Sequence, residues 1–146
     1  MERTEVVDTP APAAELFAVV EDLVRYAEWL DIVRRAVPAE ALAGDAGPAW
    51  SVELRGRVGP LARSKRLRMV RTVHEPDARV VFERREAGDR SHSPWTLTAV
   101  VEPIADGSRL TMTLHYGGGL WGPVLDRLLA DEVTQARPRL VALLGG

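Results

Sequence analysis

The sequence predicts a single-domain α+β fold: a seven-stranded curved antiparallel sheet wrapped around a long C-terminal helix, with two short helices between strands 1 and 2. Three observations predict it. From Ile32 to Tyr116 the apolar residues recur with period two in six successive segments. Short turn sequences separate the later segments, so neighbouring strands run antiparallel. The last segment, from Pro123 to about Leu144, returns to helical spacing and is long enough to cover the apolar face of such a sheet.

The elements follow in order. Glu2 to Asp8 reads as a strand, broken by Thr9-Pro10-Ala11-Pro12. Pro12 suits a helix start, where its missing N–H costs nothing. Leu16, Phe17, Val20 and Leu23 then share one helical face. A second short helix spans roughly Val24 to Leu30. Ile32 to Val37 is a strand ending at Pro38, and Ala39 to Pro48 is a loop. Trp50 to Arg55 alternates as a half-buried strand should. Gly59-Pro60 is a turn, Ala62 to His74 a long strand, and Glu75-Pro76-Asp77-Ala78 a tight turn into the strand Arg79 to Glu86. Pro94 to Pro103 and Ser108 to Tyr116 form the last hairpin, around Asp106-Gly107. The final helix is expected to kink before Pro138.

Register can be read from complementarity. A two-residue turn at Pro76-Asp77 sets Val73 opposite Val80, Arg71 opposite Phe82 and Met69 opposite Arg84. Pairing Glu102 with Arg109 sets Val101 opposite Leu110, Ala99 opposite Met112, Leu97 opposite Leu114 and Trp95 opposite Tyr116, while Thr98 meets Thr113 on the other face. A slip of one residue would turn the wrong set inward.

Composition narrows the function classes. The chain has 146 residues, enough for one core, with 46% hydrophobic and 27% charged residues. It has no cysteine, which excludes a thiol nucleophile, cysteine-ligated metals and disulfides. A formal net charge of −2 argues against a nucleic-acid partner. No apolar run is long enough to span a bilayer, and MERTEVVD lacks the apolar core of a signal peptide, so a cytoplasmic location is expected. Nothing in the pattern demands a particular oligomeric state.

The strand, the segment Pro12-Ala13-Ala14-Glu15-Leu16-Phe17, then Tyr26 and Glu28-Trp29, and the Asp106-Gly107-Ser108-Arg109-Leu110-Thr111 turn resemble the START-like (SRPBCC, helix-grip) superfamily over the whole chain. Within it the chain is most similar to the bacterial polyketide cyclase/dehydratase and lipid-transport-like group. The resemblance implies a ligand cavity between sheet and final helix. It carries no catalytic signature onto residues of this chain.

Candidate site residues follow from facing. On a wheel of 100° per residue, Trp121, Leu125, Leu128, Leu129, Ala136 and Leu143 share one stripe of the final helix, with Glu132 near its middle. Arg71 and Arg84 share the inward parity of Met69 and Phe82. Glu132 is therefore expected to meet one of these arginines, either to orient or protonate a ligand or merely to satisfy buried charge. With Tyr116, these three are the candidates for catalysis. Trp29, Trp50, Phe82, Trp95 and Tyr116 are candidate aromatic lining, joined by Leu97, Met112 and Leu114. Packing in an ordinary core is the competing reading for each aromatic.

The glycines at 117 to 119 with Leu120 and Trp121 read as a hinge and gate at the cavity mouth, or as a plain connection. His74, His92 and His115 lack metal-ligand spacing; His74 and His115 have outward parity. No cofactor motif is present. From Arg55 to Arg71 there are seven basic and no acidic residues. Arg55, Arg57, Arg66 and Arg68 point outward near Glu53, Glu83 and Glu102, as on a solvated, charge-balanced face.

Three functions remain: a binder of a lipid-, quinone- or polyketide-like hydrophobic molecule; a polyketide cyclase/dehydratase acting by aldol-type closure or dehydration; and an interaction module using the basic outer face. An apolar cavity with Glu132 neutralised by other groups favours the first; convergent polar groups favour the second.

Overall fold

A computed structural model describes residues 1–58, 60–88, 90–117 and 122–145; the side chains of residues 58, 61, 122–126, 128, 130 and 133 lie outside the description. The elements are β1 (Glu2–Thr9), α1 (Ala13–Val20), a 3-10 helix (Leu23–Glu28), β2 (Val33–Ala39), β3 (Ala49–Val58), β4 (Leu61–Glu75), β5 (Arg79–Arg84), β6 (Trp95–Ile104), β7 (Gly107–Tyr116) and α2 (Gly122–Leu143). The strands form one antiparallel sheet in the order β1-β7-β6-β5-β4-β3-β2. This is the helix-grip, START-like architecture. No helix among the described residues is long and apolar enough to cross a membrane.

The β6–β7 hairpin adopts the predicted register throughout, with Glu102 opposite Arg109 and Trp95 opposite Tyr116. The β4–β5 hairpin departs from expectation. Met69 faces Arg84 and Arg71 faces Phe82, but a bulge at Thr72 sets Val73 opposite Val81 rather than Val80. The turn is also longer: Asp77 takes φ 61° behind Pro76, and the Ala78 amide donates to the Glu75 carbonyl at 3.0 Å. Proline second and positive φ third are the marks of a type II turn. An extra residue on one strand reverses the facing of everything beyond it. His74 therefore joins Val80 on the inner face, 5.7 Å from the Phe17 ring, instead of pointing outward.

Two other boundaries differ. Pro38 lies inside β2, opposite Trp50. β2 is an edge strand, where a missing N–H breaks no ladder bond. α2 runs unbroken through Pro138 in the backbone assignment.

The loop at 40–48 folds onto the outer face rather than into solvent. Arg68 holds it in place: its Nη2 donates to Asp45 Oδ2 at 2.7 Å and to the Glu40 carbonyl at 2.8 Å. Arg68 is thus nearly enclosed in an ion pair, which corrects its expected place on a solvated face. A Cβ on Gly47 would stand 2.4 Å from the Arg71 carbonyl, so only glycine allows this approach. At the opposite end, a Cβ on Gly107 would come 1.9 Å from the Thr9 carbonyl. There Ser108 Oγ donates to the Ala11 carbonyl at 2.7 Å, fastening the start of α1 to β7.

Candidate functional site

The inner face of the sheet is built from alternate residues. Arg3, Glu5 and Val7 of β1 stand opposite Leu114, Met112 and Leu110 of β7. Leu97 stands opposite Leu114, and Trp50, Val52 and Leu54 opposite Met69, Leu67 and Lys65. α2 crosses this surface over β1 and β3. Beneath it lies a void of about 160 Å³.

Its wall is almost wholly apolar. The 3-10 region contributes Leu23, Tyr26, Trp29 and Leu30, and the strands contribute Ile32, Val33, Val52, Leu54, Leu67, Met69, Trp95, Leu97, Met112 and Leu114. Leu129, Glu132, Ala136 and Arg137 come from α2, and Arg3, Glu5 and Val7 from β1. Tyr26 is held upright by its hydroxyl, which donates to the Val20 carbonyl at 2.8 Å, and burial pushes its phenol far above the ordinary range. The indole N–H groups of Trp29 and Trp95 are buried and have no acceptor among the described residues.

The expected site residues separate. Trp29, Met69, Trp95, Leu97, Met112, Leu114 and Glu132 border the void. Trp50 and Phe82 instead pack edge to face at 5.5 Å in the solid part of the core. Tyr116 is buried beside Trp95, ring centroids 5.6 Å apart, behind the wall. Trp121 and Leu120, proposed as gates, and the glycines after 117 lie outside the described residues, as do the side chains of Leu125 and Leu128.

The expected meeting of Glu132 with an inward arginine does not occur. Arg71 turns toward α1: it donates to the Glu21 carbonyl at 3.0 Å, and its guanidinium sits 5.8 Å from the Trp50 ring centroid. Arg84 pairs with Glu86 at 2.7 Å and reaches the Ser93 carbonyl at 3.2 Å. The long, flexible stem of each arginine lets its guanidinium reach an acceptor away from the void.

Glu132 is engaged by backbone. Its carboxylate accepts from the Asp31 amide and is also stabilised by the Ile32 amide. Burial still holds its proton affinity above the ordinary value of 4.5, despite those amides. The side chain therefore latches α2 to the entrance of β2. Beside it, Arg139 pairs with Asp31 at 2.7 Å.

Sequence reasoning missed Arg3, Glu5 and Arg137. The signal was present for the first two: β1 alternates, and its charged members take the facing of Val7. For Arg137 no local signal existed, because it lies at the margin of the apolar stripe.

Residues 2–145 match the family model described as polyketide cyclase/dehydrase and lipid transport. A search of curated proteins finds no match. Among solved structures, protein CV1439 from Chromobacterium violaceum is similar with TM-score 0.69 at 16% identity, covering 99% of this chain and 97% of that one. A START superfamily protein from Mycobacterium smegmatis gives 0.67 at 14% identity, over 99% and 97%. The di-domain ARO/CYC StfQ of the steffimycin biosynthetic pathway gives 0.63 at 12% identity, over 97% of this chain and 49% of that one. At these identities the structural likeness speaks for the fold alone.

Proposed function

Given that this chain belongs to the polyketide cyclase/dehydrase and lipid transport family, we propose that it binds one small apolar molecule in the void beneath α2. The observation that carries this reading is an apolar void whose bordering acid, Glu132, is already occupied by the Asp31 and Ile32 amides. A group spent on the fold is not free to shuttle a proton. Arg71 and Arg84 spend their donors elsewhere, and Tyr116 lies behind the wall beside Trp95. Carriage or sequestration therefore fits better than cyclisation.

The volume limits the occupant. An engineered apolar cavity of about 150 Å³ stays dry and takes up benzene. A void of about 160 Å³ thus accepts a single ring or a short branched chain without rearrangement. A long lipid or fused polycycle needs the wall to give. The indole donors of Trp29 and Trp95, without an acceptor among the described residues, favour an occupant carrying an oxygen acceptor over a plain hydrocarbon.

Filling the void tests the reading. Ala136→Phe adds a ring where Ala136 borders the empty space. Binding of anisole, a single ring with an oxygen acceptor, followed by isothermal titration, is expected in the wild type and weakened more than tenfold in the variant, with the melting temperature retained. Equal anisole affinity in both proteins would sink the proposal.

A further inference from the structure

The charged residues bordering the void are not equivalent. Among the described residues they are Arg3, Glu5, Glu132 and Arg137. Arg3 Nε lies 3.0 Å from Glu5 Oε1, so these two compensate each other. Glu132 is held by the Asp31 and Ile32 amides. Arg137 differs from them: among the described residues it makes no hydrogen bond and no ion pair, and it is exposed. Its charge is felt by Asp8, whose carboxylate is already taken by Arg109 through two bonds of 2.8 and 3.1 Å.

Position adds a direction. Arg137 lies five residues beyond Glu132, about 140° around a helix turning 100° per residue. Glu132 faces the start of β2, so Arg137 faces the opposite flank, toward β1. β1 is an edge strand bonded to β7 on one side only. The seam between β1 and α2 is held by no ladder and is where a bound molecule's polar end meets solvent.

Resting on the binding function proposed above, we infer that the natural occupant is an amphipathic acid: an apolar ring or short chain in the void, with its carboxylate on Arg137 at the β1–α2 seam. The apolar wall supplies affinity without regard to charge. Arg137 supplies the choice, since its planar fork matches a carboxylate in two parallel bonds. An amine of the same shape would set a like charge against Arg137 and so binds more weakly.

Hydrocinnamate, hydrocinnamyl alcohol and hydrocinnamyl amine, one ring each and alike in shape, test this by isothermal titration at neutral pH and low salt. The wild type is expected to bind the acid roughly tenfold more tightly than the alcohol, with the amine weakest. Arg137→Gln removes that preference and leaves the alcohol unchanged, whereas Arg127→Gln, at an exposed site on the same helix, alters neither. Added salt weakens the acid alone. Equal binding of acid and alcohol in the wild type, or a preference that survives Arg137→Gln, overturns the inference while the binding function stands. If none of the three binds, both readings fall together.

Discussion

The inner face of the sheet has a solid half and a hollow half. In the solid half Trp50 and Phe82 interlock with Tyr26, Phe82 lying edge-on to both other rings at 5.5 and 6.2 Å, and Tyr26 forms the border with the void. In the hollow half the same kinds of residue, Trp29, Met69 and Leu97, surround empty space beneath α2. Composition does not separate the two. The helix overhead does: α1 is seated on β6 and β7, whereas α2 meets the sheet at β1 and β3 with the void beneath it. Dense packing is the default in protein interiors, so a void of this size forfeits contacts that the chain could have made. That loss is the strongest sign that the hollow half serves a purpose other than stability.

Substitutions can test the contrast. The largest effect is expected from Phe82→Ala, which should cost about 3–5 kcal/mol by urea denaturation, the usual loss for a buried ring. A cost near zero would mean the solid half is not solid. Tyr26→Phe keeps the ring and leaves the Val20 carbonyl without its donor, for an expected loss of about 1–2 kcal/mol. In the hollow half, Ala136→Leu is expected to change stability by no more than about 1 kcal/mol, because it grows into space rather than into neighbours. Loss of folding in that variant would show the void to be filled.

The smallest effect concerns pH. The Glu132 carboxyl in the folded protein holds its proton to higher pH than in the unfolded chain. Between the ordinary value of 4.5 and the raised one, the native state therefore binds more protons, and stability falls as pH rises. Unfolding measured across that window should show this decline in the wild type and a flatter profile in Glu132→Gln, which keeps an acceptor for the Asp31 amide. Parallel profiles would remove desolvation as the cause.

Legibility in the sequence followed the range of the forces involved. The β6–β7 hairpin was readable residue by residue, because its cross-strand pairs had to agree together and any slip exposed apolar groups. The β4–β5 hairpin was readable only up to Thr72. A bulge leaves no compositional trace when the residues on either side suit both faces, and so His74 was assigned to the wrong side. Glu132 was correctly placed at the void's border from helical spacing, yet its partners were not. Parity says which way a side chain leaves the backbone, and a four-bond side chain such as Arg71 or Arg84 can still bend toward an acceptor several ångströms off that axis.

By itself, the sequence determined the order of elements, the antiparallel sheet and the apolar character of its inner face, because these rest on local periodicity and on turns a few residues long. Tertiary structure alone decided that a void of about 160 Å³ lies beneath α2, that Glu132 is spent on the Asp31 and Ile32 amides, and that Arg137 borders the same void. Those outcomes depend on where a helix more than a hundred residues from β1 comes to rest, and no window of neighbouring residues encodes that distance.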